Sequence, residues 1–114
     1  MTVVRDQTVG DYLDGLASTA AVPGGGSAAA LAAAMGAALV SMVAKLSARK
    51  AKTAEEREVL TNLVPGLDQL ASRLLGLSQE DIDAYRAVID ARKSGATGPA
   101  LARAYQRAAE APLE

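Results

Sequence analysis

The sequence contains no cysteine, histidine, tryptophan or phenylalanine, and only three tyrosines among its 114 residues. Without cysteine it can form no disulfide and offers no thiolate. Without histidine it lacks the usual general base near neutral pH and the commonest metal ligand. Any catalysis must rest on Asp, Glu, Lys, Tyr, Ser or backbone groups, and no metal site is expected. Neither sign of charge is in excess: the net charge is −1 and the isoelectric point is near 5.4. Nucleic-acid binding needs a basic surplus, so no nucleic-acid partner is expected. Large apolar side chains are also few, and alanine carries much of the 50% hydrophobic content. Alanine helices form readily, because the residue loses no side-chain entropy. They bury little area per residue, so packing must come from close helix contacts or from partner chains. An oligomer is therefore expected, and the length allows one domain with a thin core.

Met1 to Asp11 is mixed and polar, without the basic segment and apolar run of a secretory signal. Ala28 to Ala44 is uncharged over 17 residues, the short edge of a spanning helix. It is mostly alanine, contains Ser41 and is followed directly by Lys45. A buried helix of a soluble, cytoplasmic protein is preferred to a membrane span.

Four helices are expected and no strand. Thr8 to Ser18 places Tyr12, Leu13 and Leu16 on one face. Pro23 turns Val22 away from helical dihedrals. A second helix should run from about Ser27 to Arg49, with Leu31, Met35, Leu39, Met42 and Leu46 as its apolar stripe. Ala29, Ala32, Ala33 and Gly36 lie beside that stripe and admit a close neighbour. Lys45, Arg49, Lys50 and Lys52 complement the dipole at its end. Thr53 with Glu56 forms a capping-box pattern that opens a third helix. Its stripe runs through Leu60, Leu63, Val64, Leu67, Leu70, Leu74 and Leu77, then Ile82, Tyr85, Val88 and Ile89. Pro65 should kink or interrupt it. Gly95 is a stop signal. Thr97-Gly98-Pro99 restarts the chain into a last helix from Leu101 to Ala109.

Three features could carry chemistry. Gly24, Gly25 and Gly26 precede a helix start, where unpaired N–H groups and a partial positive charge suit an anion or a carbonyl. Their backbones are free to take positive dihedrals, and they place no side chain in the way. Ser27 adds a hydroxyl and is a preferred N-cap. A plain tight turn with a serine cap explains the same residues equally well. The missing Gly-Lys-Ser/Thr ending disfavours a nucleotide-binding loop. Asp81 and Tyr85 share a helix face with Leu77 and Val88, and an inward carboxylate can act as acid or base. Alternatively, Ser78 caps a new turn that Asp81 completes, or Asp81 pairs with a basic residue elsewhere. The basic group from Lys45 to Lys52 could receive an acidic ligand or simply end a helix. Tyr12 and Tyr105 read as core or interface residues.

In order, the chain presents Pro23-Gly24-Gly25-Gly26-Ser27-Ala28-Ala29-Ala30-Leu31, Met42-Val43-Ala44-Lys45-Leu46-Ser47, Glu80-Asp81-Ile82-Asp83-Ala84-Tyr85 and an alanine-rich helix reaching Pro112-Leu113. This succession resembles the cyclodeaminase/cyclohydrolase family, which includes the cyclodeaminase part of formiminotransferase-cyclodeaminase and small methenyltetrahydrofolate cyclohydrolases. The resemblance implies one such domain over residues 6–114: an all-α, up-and-down bundle of long helices that forms a homodimer or higher homo-oligomer. It implies a tetrahydrofolate substrate and no metal or other cofactor. Either N10 of formimino-tetrahydrofolate closes onto the formimino carbon and ammonia leaves, or water opens a methenyl bridge. Asp81 matches the family's acidic position and takes the acid/base or electrostatic role. Gly24, Gly25, Gly26, Ser27, Lys45 and Tyr85 would line the folate site. The chain departs from the family at Lys45 and Ser47, where Asn and Thr are frequent. It also lacks a basic residue at Gly95 to Pro99, and members continue past Pro112-Leu113 with further helix. A non-catalytic, truncated helical oligomerisation module is the alternative.

Overall fold

The computed structural model describes residues 2–95 and 98–110, and 83% of these are helical. A 3-10 turn at Val4–Asp6 precedes α1 (Val9–Ala17), α2 (Gly25–Arg49), α3 (Ala54–Lys93) and α4 (Pro99–Glu110). There is no strand among the described residues, as expected for an all-α chain. The helices form two compact units, Met1–Leu31 with Leu75–Glu114, and Ala32–Leu74. Both α2 and α3 contribute to each.

Local signals set the helix ends. The Thr8 hydroxyl accepts from the Asp11 N–H at 3.0 Å and opens α1. Thr53 does the same for α3, accepting from the Glu56 N–H at 3.1 Å. The Glu56 carboxylate reaches back to the Lys52 N–H at 3.2 Å, one residue beyond the usual capping-box partner. Past α3, Gly95 takes φ +74 and donates to the Arg92 carbonyl, a left-handed turn that only glycine makes without strain. Gly98, at φ +63, leads into Pro99 at the first position of α4. Thr97 and the Pro112-Leu113 end lie outside the described residues.

Pro65 does not interrupt α3, which runs unbroken from Ala54 to Lys93. A proline withholds one N–H and crowds one carbonyl, a local loss set against the other hydrogen bonds of a 40-residue helix.

The first unit is built around Val4, Tyr12 and Ile82, with Leu16, Val22, Leu31 and Leu75 against them. Val4 donates its N–H to the Gln79 side chain at 2.7 Å, and Gln79 in turn donates to Asp83 at 2.9 Å. The 3-10 turn is thereby tied to α3. The Val22–Pro23 peptide bond is cis. Arg92 lies over the Tyr105 ring, 5.4 Å from its centroid.

The second unit is a helical hairpin, and its packing corrects the expected stripe on α2. Its buried residues are Ala34, Ala37, Ser41, Ala44 and Ala48, at alternating spacings of three and four. Met35, Leu39, Met42 and Leu46, expected inside, are exposed, as are Val40 and Val43. Both stripes have helical periodicity, so period alone could not choose between them. Small residues let the α3 backbone come close, and the half-buried residues of α3 in this unit are Leu60, Val64, Leu67, Ala71 and Leu74. Large on one helix meets small on the other. Leu63 and Leu70 of the expected α3 stripe are exposed. The Arg57 side chain closes the hairpin, donating through Nε to the Ala48 carbonyl at 3.3 Å. α2 is long and apolar enough to cross a membrane, with mean hydropathy 1.9 over its most apolar stretch, and 28% of that stretch is buried within the chain.

Candidate functional site

The first unit brings the glycine turn and Asp81 together. Gly24 supplies the carbonyl that accepts from the Ala28 N–H at 3.1 Å, so α2 starts at Gly25, two residues before the expected Ser27. No acidic residue lies in that first turn to answer the free N–H groups of the helix start. The answering charge is on α3. A Cβ built on Gly26 would fall 2.6 Å from Asp81 Oδ1, 2.9 Å from its Cγ and 3.0 Å from Oδ2. Real Cβ atoms do not approach that closely, so the residue must be glycine for the carboxylate to lie there. A carboxylate beside a helix N-terminus is favourably placed for its charge.

This contact decides between the two reasons for the glycines. None of the three has a positive φ; among described glycines only Gly95 and Gly98 do. A side chain at Gly25 would meet nothing within 4 Å, and one at Gly24 only the Ala21 carbonyl at 3.9 Å. The requirement is for space, and it is concentrated at Gly26. Asp81 is half-buried, with no side-chain hydrogen bond among the described residues.

Ser27 is not the cap. It is the third residue of α2, 0% exposed, and its hydroxyl is shared between the Tyr12 hydroxyl at 2.6 Å and the Ser78 hydroxyl at 2.8 Å. Ser78 is itself fully buried within an unbroken α3, so it caps no new turn there. Three helices are thus joined by one line of hydroxyls. From the sequence, Ser78 is a cap only in the alternative reading of Asp81, and Tyr12 is a core or interface residue. Tyr12 is in the core, but its polar end required a partner, and that was the available signal. Tyr85, expected beside Asp81, is 42% exposed.

Lys45 belongs to the second unit, where its Nζ lies 3.5 Å from Asp68 Oδ2. Ser41 donates to the other oxygen of Asp68 at 2.5 Å. That hydrogen bond, helped by the nearby Lys45 charge, holds the Asp68 carboxyl below its ordinary value against a smaller opposing effect of burial. Lys45 also lines an open cleft of about 590 Å³ with Ala48, Arg49, Arg57, Val64 and Pro65. Among the described residues, no group of three or more carboxylates gathers where a metal ion could bind.

Residues 8–114 match the family described as Formiminotransferase-cyclodeaminase. The chain is 44% identical over 86 residues to the methenyltetrahydrofolate cyclohydrolase of Methylorubrum extorquens, covering 75% of this chain and 41% of that protein. It is 33% identical over 85 residues to the formimidoyltransferase-cyclodeaminase of Gallus gallus, covering 75% of this chain and 16% of that protein. The chain thus spans less than half the length of either relative. No solved structure matches it.

Proposed function

Because the chain belongs to the formiminotransferase-cyclodeaminase family, we propose that it serves one-carbon tetrahydrofolate chemistry, with opening of a methenyl bridge by water as its reaction. The approach of Asp81 to Gly26 is the observation that carries this reading. It puts a carboxylate against a helix start whose neighbour Gly25 faces open space. The methenyl bridge is an amidinium-like cation, and a fixed carboxylate stabilises it. The same carboxylate takes a proton from the water that adds to the bridging carbon. The tetrahedral adduct then collapses: its hydroxyl proton passes to the departing nitrogen as that C–N bond breaks, the formyl group stays on the other nitrogen, and the proton first taken from water is released from the carboxyl group. Neither this reaction nor the alternative changes an oxidation state, so the proposal assigns no redox cofactor and no metal.

The identity to the relative named as a cyclohydrolase exceeds that to the one named as a cyclodeaminase, which supports hydrolysis as the first reading. In the second reading N10 attacks the formimino carbon, and the Asp81 carboxyl protonates the departing ammonia. Gly24, Gly25 and Gly26 would lie along the pterin in either case, with Tyr85 at the rim. A cytoplasmic homodimer completes the proposal, the outward apolar residues of α2 being suited to a partner chain.

Purified protein mixed with methenyl-tetrahydrofolate should accelerate the loss of its near-ultraviolet absorbance. Asp81→Asn should lower that rate by about 10²- to 10⁴-fold while leaving helicity intact. If the wild-type rate equals the uncatalysed one and no ammonia leaves formimino-tetrahydrofolate, the chain is a helical module without this activity.

A further inference from the structure

The line of hydroxyls through Ser27 has no direct part in the chemistry above, yet it passes one residue from Gly26 and ends three residues from Asp81. We propose that Tyr12, Ser27 and Ser78 are positioning residues that clamp the start of α2 at the distance from α3 that lets Asp81 lie against Gly26; this rests on the proposed role of Asp81.

Ser27 and Ser78 are fully buried and Tyr12 nearly so. The oxygen separations of 2.6 and 2.8 Å are those of well-formed O–H···O bonds. Three hydroxyls have three protons, and two links use two of them, so each oxygen in the line is engaged without a charged group. Buried hydroxyls left unpaired are costly, which makes the three distances a coupled set. If α2 moved away from α3, the Ser27–Ser78 bond would open; if α1 shifted, the Tyr12–Ser27 bond would. The apolar contacts nearby do not define a distance as sharply, because they are non-directional. Gly26 sits on the same turn of α2 as Ser27, and Asp81 is one turn of α3 beyond Ser78. The clamp and the Gly26–Asp81 contact therefore belong to the same pair of facing turns. A site held by directional bonds on regular helices keeps a carboxylate in place before substrate arrives, and small misplacements of such groups are costly in rate.

Two measurements on the whole chain test this. The first is kinetic. Tyr12→Phe removes one oxygen and preserves the ring. It should lower kcat by about 10- to 100-fold with KM within about twofold, at unchanged helicity. Tyr12→Phe combined with Ser78→Ala should lose little more than the worse single variant, because both cut one line. An unchanged kcat, or a rise in KM alone, overturns the proposal. The second does not need activity. Gly26→Ala should lower the thermal midpoint less in a Tyr12→Phe background than in wild type, since a loosened helix start can make room for the Cβ. Equal losses in both backgrounds overturn the proposal. If Gly26→Ala folds in neither background, exchange of the Ala28 amide decides: a rise of about tenfold in Tyr12→Phe supports the clamp and no rise refutes it. A wild-type protein that turns over neither folate defeats the proposed reaction, and the thermal comparison still judges the clamp.

Discussion

The two compact units reach stability by opposite means. The first buries Val4, Tyr12 and Ile82, side chains with volume, around a line of buried hydroxyls. The second buries four alanines and a serine and leaves Met35, Leu39, Met42 and Leu46 outside. In the first, side chains fill a core and directional bonds fix its geometry. In the second, two helices come close because one of them has almost no side chain on its inner face. A unit of the first kind can hold a reactive group in a defined place. A unit of the second kind presents its large residues outward, where they can be covered only by something else.

This contrast predicts that the first unit fails by subtraction and the second by addition. Ile82→Ala should have the largest effect, about 3 kcal/mol, because it empties part of a small core that cannot easily collapse. For a chain of this size that corresponds to a fall in thermal midpoint of more than about 10 °C. Ala44→Leu should cost somewhat less, about 2 kcal/mol, by forcing the hairpin apart. The same change at Ala38, which is exposed, should be nearly silent in thermal denaturation; an equal cost at both positions would erase the distinction between the inner and outer faces. The smallest effect concerns Asp68. Its carboxyl is held below its ordinary value, so its contribution to stability is present above the unfolded-state value of 3.8 and is lost as pH falls through the folded-state value. Ser41→Ala removes the larger cause. The variant should therefore differ from wild type in thermal midpoint above about pH 4 and converge on it in stronger acid. A difference that persists in acid would assign the role of Ser41 to packing instead.

The helices were legible because their ends carry strong local signals: Thr8, Thr53, Gly95 and Pro99 all act where their chemistry suggests. The face of α2 was not. Its two stripes differ in residue size but share a period, and size argues for outward or inward placement only once the partner helix is known. Pro65 illustrates the same limit, since a local helix breaker does not interrupt a helix of 40 residues. The meeting of the glycine turn with Asp81 was accessible through family resemblance, because nothing local links two segments so far apart. Of the two reasons the glycines offered, dihedral freedom and the absence of a side chain, only the second applies, and it applies at Gly26. Ser27 was misplaced for a related reason. A serine after glycines reads as a cap, and only the position of Ser78 and Tyr12 shows that its hydroxyl points into the interior.

The contact between Gly26 and Asp81 also restricts how the two positions can vary among relatives. Every replacement at Gly26 adds at least a methyl group, so the position has no conservative substitute. Replacing Asp81 by Glu adds a methylene on the other side of the same gap. With the two helix turns held in place, the pair acts as a gauge of fixed total length, and neither residue can lengthen unless the other shortens or its carboxylate leaves the gap. Relatives with alanine at the Gly26 position should therefore carry a shorter side chain at the Asp81 position, and with it should lack the carboxylate and whatever chemistry depends on it.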